Sequence, residues 1–188
     1  MASLRPEIKV DLNARPPVLP TARLPIASML NVLIQAPASD LQVECIGVEE
    51  ALAEKVLSFL RRTAQARAGQ NRADYDDRLV RHLYDVRAIT RGRDGLALPH
   101  EHFAVMVAGD AVQFRNQYPE FEQDPVGQMR VGLNALLHEA DAFERDYLQF
   151  VDELVFGEQV TFAEARAVFI ELAERLLAKL TPHPPRAL

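Results

Sequence analysis

The chain has 188 residues, with 21 Lys+Arg against 27 Asp+Glu and a formal charge of -6. With 48% hydrophobic and 26% charged residues it has globular proportions, which exclude disorder along the whole length. The length suits one domain with a real core, and the acidic balance argues against a generic nucleic-acid coat, though not against a local basic site.

The first 47 residues hold six of the 12 prolines: Pro6, Pro16, Pro17, Pro20, Pro25 and Pro37. The stretch from Pro16 to Pro25 cannot be a continuous helix or a central strand. Ile8-Lys-Val-Asp-Leu12 alternates apolar and polar, which reads as a half-buried strand. Leu30-Asn-Val-Leu-Ile34 and Leu41-Gln-Val-Glu-Cys-Ile46 read the same way. The expected fold is therefore mainly α with a small N-terminal β-sheet (α+β), the sheet lying before Gly47.

From Val48 the apolar period becomes helical. A first long helix runs from Val48 to about Arg67, with Leu52, Val56, Phe59 and Leu60 facing inward. Residues 68–73 read as a loop. A second helix spans Tyr75 to about Arg91, its core side formed by Leu79, Leu83, Val86 and Ile89. Pro99 opens a third helix, to about Tyr118. Glu120 to Gly127 is acidic and proline-broken, so a loop is expected. A short helix follows near Met129 to His138. Asp141 caps the next, which carries Phe143, Tyr147, Phe150, Val151 and Leu154 and stops at Gly157. Thr161-Phe-Ala-Glu164 is a capping box for a last helix to about Leu180. The spacing thus divides the chain into residues 1–47, a helical domain over 48–180 and a flexible tail over 181–188.

Charge is unevenly placed. From Arg61 to Arg93 there are nine arginines against four acids; from Gln117 to Val160 there are ten acids against two arginines. Two solvated faces of opposite sign account for this plainly, and an anion site around the first two long helices accounts for it more sharply. The single cysteine, Cys45, can close no intramolecular disulfide, so an oxidising compartment is not required and a cytoplasmic location is expected. No apolar run reaches the length of about 18 residues that a membrane span needs. The start, Met1-Ala-Ser-Leu-Arg-Pro6, lacks the apolar core of a signal peptide.

Three places can carry chemistry. Lysine occurs only at Lys9, Lys55 and Lys179. Lys55 shares a helix face with Leu52, Phe59 and Arg62, so it can be partly desolvated and aimed at an anion; the plain alternative is a stem lying on the core with its ammonium in water. In Arg81-His-Leu-Tyr-Asp85, Arg81 and Asp85 are spaced for a surface ion pair, and His82 and Asp85 for a metal pair that lacks further ligands. Asp85 and Lys55 can instead face one cleft. Asp11 sits mid-strand, either a solvent-facing edge residue or a metal carboxylate of the kind found in nucleotide-transferring enzymes. No glycine-rich phosphate loop, CxxC, HExxH or GxSxG occurs.

Taken together, these stretches resemble the AbiEii/AbiGii family of nucleotidyltransferase-like toxins. Val48-Glu-Glu-Ala-Leu-Ala-Glu-Lys55-Val-Leu-Ser-Phe-Leu-Arg-Arg62 is similar to the family's helix with an Ala-Glu-Lys core and a following arginine. Arg81-His-Leu-Tyr-Asp-Val86 is similar to its next helix, where Arg-[Asp/His]-x-Tyr-Asp is usual. Ile8-Lys-Val-Asp11-Leu-Asn-Ala-Arg15 resembles the preceding strand, and Phe156-Gly-Glu-Gln-Val-Thr-Phe162 the glycine turn before the last helix.

The resemblance implies the helical-bundle half of a nucleotidyltransferase-like fold, and NTP-dependent nucleotidyl transfer with Mg²⁺. It implies Lys55 and Asp85 as the helical catalytic pair, Lys55, Arg62 and Arg81 as phosphate ligands and Asp11 as a metal carboxylate. The family's Gly-Ser turn and Asp-x-Asp pair have no counterpart before Lys55; Asp74-Tyr-Asp76 follows the lysine helix instead. The chain is therefore expected to be a truncated or split member, inactive alone. RNA, tRNA in particular, or a protein is the implied acceptor, with an antitoxin, a missing core or a second copy as protein partner and no membrane. The rival expectation is a non-catalytic helical interaction module.

Overall fold

The computed structural model describes residues 16–36, 41–70, 76–93 and 100–180. The Ile8–Leu12 strand, Asp11, the Pro99 helix start and the 181–188 tail lie outside them. Among the described residues the architecture is mainly α with a small sheet, as the hydrophobic pattern implies.

The sheet is one antiparallel hairpin, β1 (Ala22–Pro25) with β2 (Gln42–Cys45), in register Ala22↔Cys45 to Pro25↔Gln42. Pro25 is tolerated because it ends a strand that has an open edge. Between the strands, Leu30–Ile34 is not the strand its sequence suggested. It falls in the short helix α1 (Met29–Leu33), where the Ser28 hydroxyl accepts from the Asn31 N–H at 3.0 Å. A run of five residues is too short for its period to separate strand from turn of helix, and the local cap decides.

The helical unit is built on α2 (Val48–Arg67). Leu52, Val56, Phe59 and Leu60 are all buried, as their spacing predicts. Buried Leu57, Thr63 and Ala64 widen the apolar stripe, because α2 packs against several helices at once. A 3₁₀ turn (Asp77–Val80) leads into α3 (Arg81–Thr90), so the second helix starts later than the pattern suggested. Next come α4 (His100–Phe114), α5 (Pro119–Gln123) and α6 (Pro125–His138). The expected loop over 120–127 is thus largely helical. Pro119 and Pro125 each sit in a first helical turn, where the missing N–H costs nothing, and the Asp124 carboxylate caps α6 by accepting from the Gly127 N–H at 2.9 Å. The bundle closes with α7 (Ala140–Leu154) and α8 (Phe162–Leu177). The Thr161 hydroxyl accepts from the Glu164 N–H at 3.2 Å, as expected, whereas the Glu164 carboxylate takes the Arg87 guanidinium.

Two features hold the bundle tightly. A Cβ on Gly132 of α6 would lie 2.2 Å from the Leu60 carbonyl oxygen, so only glycine lets α6 approach α2 this closely. Phe59 of α2 meets Phe169 of α8 edge-on at 4.8 Å and Phe143 of α7 at 5.8 Å. The N-terminal unit is tied on by Glu50, only 2% exposed in the first turn of α2. Its carboxylate accepts from the backbone N–H groups of Val18 and Leu19, both at 2.8 Å.

Candidate functional site

Lys55 projects from α2 toward α3, and its Nζ donates to Asp85 Oδ2 at 2.6 Å. Both side chains are about one-third exposed, 29% and 33%. The lysine is therefore held by a carboxylate from the neighbouring helix, and does not simply extend its stem over the core. The spacing that would pair Arg81 with Asp85 along α3 is not used. Arg81 is exposed and forms no ion pair with any described residue.

Two turns on from Lys55, Arg62 Nη2 donates to Asp76 Oδ2 at 2.8 Å. Burial alone would raise the Asp76 carboxyl, but the Arg62 hydrogen bond and charge, with Arg81 nearby, carry it below the usual carboxylate range. Asp76 was not singled out by the sequence, because it belongs to an Asp-x-Asp in the wrong place for the family's metal pair. Its role here follows from the 3₁₀ turn that points it back at α2.

The spacing of His82 and Asp85 suits a metal pair, and the structure gives a different setting to His82. It is 9% exposed, deeper than the four side chains of the two ion pairs. Burial, then the charges of Lys55, Arg81 and Arg62, push its imidazole from an ordinary 6.5 down to about 3, against the opposing pull of Asp76. It is neutral at neutral pH. The seam between α2 and the 76–90 segment thus gathers Lys55, Arg62, Arg81 and His82 with two carboxylates, each committed to one cation.

Elsewhere the basic stretch is largely neutralised from within. Arg61 Nε pairs with Asp110 Oδ2 at 2.7 Å, both side chains 6% exposed, and its guanidinium lies over the Phe114 ring at 3.6 Å. Arg67 pairs with Glu139, Arg87 with Glu164 and Arg91 with Glu158. Glu139 and Glu158 come from the acidic stretch 117–160 while Asp110 and Glu164 lie outside it, so the two stretches neutralise each other only in part. Around Lys55 the pairing also holds, and Arg81 is the cation there that pairs with no described acid.

No group of three or more His, Cys, Asp or Glu side chains converges as a metal site among the described residues. Asp85 and Asp76 each hold a cation already, and Asp11 lies outside the described residues. The described donor set therefore does not fit a pair of Mg²⁺ ions. No helix among the described residues is long and apolar enough to cross a membrane.

The chain matches the family described as "Nucleotidyl transferase AbiEii toxin, Type IV TA system" over residues 1–168. It belongs to that AbiEii family. Neither the curated proteins nor the solved structures contain a match. Family membership makes this a nucleotidyltransferase-like protein of the toxin–antitoxin kind. Lys55 and Asp85, which meet across α2 and α3, are the two helical residues that the family resemblance had singled out.

Proposed function

We propose that this AbiEii-family chain carries the phosphate-binding and acceptor-orienting half of a nucleotidyltransferase site. Lys55, Arg62 and Arg81 take the phosphates of an NTP; an ammonium and two guanidiniums match phosphate oxygens in charge and geometry. Asp85 holds Lys55 until a phosphate takes the ammonium, and its freed carboxylate then orients an acceptor hydroxyl. The observation that carries this reading is the 2.6 Å contact of Lys55 with Asp85, made between helices 30 residues apart in sequence. The acceptor class is RNA, tRNA in particular, or a protein, and the setting is the cytoplasm.

Nucleotidyl transfer needs Mg²⁺ clamped by several carboxylates. Asp11 is the carboxylate we assign to that task, and it is insufficient by itself. The isolated chain is therefore inactive, and works with a complementary core, an antitoxin or a second copy. Two assays test this. Labelled NTPs with bulk tRNA report transfer, and none is expected from the purified chain. Calorimetry with an NTP reports binding, which Lys55→Ala should abolish. Transfer by the purified chain, or binding indifferent to Lys55→Ala, overturns the reading.

A second reading, a non-catalytic interaction module, draws on one observation. Leu24, Leu30, Val32, Leu33, Ile34 and Leu41 of the N-terminal unit are each more than half exposed. Apolar side chains at this density suit a protein contact.

A further inference from the structure

Lys55 and Arg62 stand two turns apart on α2, about 10 Å along its axis. The facing segment runs the opposite way, because Asp85 meets Lys55 and Asp76 meets Arg62. Arg81 and His82 lie between those two carboxylates in sequence. The paired side chains are 29–33% exposed and His82, one helical turn before Asp85 on α3, is 9% exposed, so the imidazole is the more deeply buried group. Neither Nδ1 nor Nε2 of His82 finds a hydrogen-bond partner among the described residues, although both are buried.

A buried imidazole with both nitrogens unsatisfied weakens a fold, and an apolar side chain of similar size would not. Such a group is accounted for when a ligand supplies the missing bond. Three cations lie near enough to act on the His82 imidazole by charge: Lys55 and Arg62 from α2, and Arg81 beside it on α3. Asp76 faces it from the segment before the 3₁₀ turn. A ligand drawn to all three cations is anionic, and one that engages both Lys55 and Arg62 must carry charge at more than one point. A single phosphate does not meet that requirement and a polyphosphate does.

We propose that His82 is a polyphosphate-contacting residue of the seam between α2 and the 76–90 segment. When a polyphosphate draws Lys55 and Arg62 away from Asp85 and Asp76, the ion pairs open and the imidazole N–H donates to a phosphate oxygen. This rests on the phosphate-binding reading of Lys55, Arg62 and Arg81 given above, and adds to it the more deeply buried group among them. Neutral imidazole offers one N–H donor. A bound anion reverses the local field, so the bound state also favours the doubly protonated ring and a stronger, charge-assisted bond.

The test uses the whole 188-residue chain and inorganic tripolyphosphate as the probe. Calorimetry at neutral pH is run on the wild type, His82→Leu, His82→Gln and Lys55→Ala, with thermal melting beside it. His82→Leu should bind about tenfold more weakly and yet melt at a higher temperature, a pairing that a merely structural histidine would not give. His82→Gln, which keeps an N–H donor, should recover part of the affinity. Unchanged affinity in a folded His82→Leu chain overturns the proposal. If Lys55→Ala loses binding while His82→Leu retains it, the phosphate site stands and only the role of His82 falls. No binding by the wild type removes both. The imidazole proton resonances of the wild type give a readout that needs no variant: their titration should move to higher pH when tripolyphosphate is present, and an unmoved titration contradicts the contact.

Discussion

The hairpin with α1 and the helical bundle use similar apolar residues and treat them in opposite ways. In the bundle, Phe59, Leu60, Val86, Met129 and Phe169 are fully buried against one another. In the N-terminal unit, Leu33 is 78% exposed and Ile34 63%, and both strands lie open to solvent. A two-stranded hairpin is marginal by itself in water. It is held to the bundle by a polar tether, the Glu50 carboxylate on the Val18 and Leu19 N–H groups, and by the Val18 side chain packed on the core. The stability of the described fold therefore resides in the bundle, and the N-terminal unit is attached to it, with its own apolar side chains left available.

Four measurements break or sharpen this contrast. The largest effect comes from acid. The folded state holds His82 near 3 while the unfolded chain takes a proton near 6.5, so in this interval the unfolded state binds more protons. Bundle stability should fall by up to about 1.4 kcal/mol per pH unit between those values, and denaturant melts of His82→Leu should show a flatter profile. An identical slope in the variant assigns the acid sensitivity to other groups.

Asp110→Ala comes next. It removes the carboxylate that the Arg61 guanidinium pairs with, in a site where both partners are 6% exposed. Urea unfolding should register a loss of about 3–5 kcal/mol, as expected when one member of a buried pair is removed. A loss below about 1 kcal/mol would mean that water reaches Arg61, and would place this pair with those of the surface.

Glu50→Ala acts on the tether. Two N–H groups lose a charged acceptor, and the first turn of α2 loses a charge that suits the helix N-terminus. A loss of about 1–3 kcal/mol is expected, with faster proteolysis over residues 16–46 than in the bundle. Uniform protection across the chain would contradict the separation of the two units.

Leu33→Ser should change least, within about 0.5 kcal/mol, because the side chain is 78% exposed. A larger loss in melting temperature, growing with protein concentration, would show that this surface is covered by a second copy in solution.

The sequence by itself determined the helices of the bundle and their inward faces, because a 3.6-residue apolar period over ten or more residues has one reading. It also carried the Thr161 cap, the strand at Gln42–Cys45, and the family through Lys55, Asp85 and their neighbours. Where elements were short, it was ambiguous: Leu30–Ile34 became a helical turn, and the prolines at 119 and 125 began helices where they had suggested a loop. The resemblance pointed to the Lys55–Asp85 pair, but tertiary structure chose it over the local alternative and decided the other partners of the charges. Along α3, Asp85 is spaced for Arg81, yet it holds Lys55 from α2; Arg62 reaches Asp76 across the 3₁₀ turn; Arg61 finds Asp110 49 residues away. Local spacing fixes which side chains share a face. Which face meets which is set by how the helices pack, and so the buried, unpartnered imidazole of His82 becomes visible only in the folded chain.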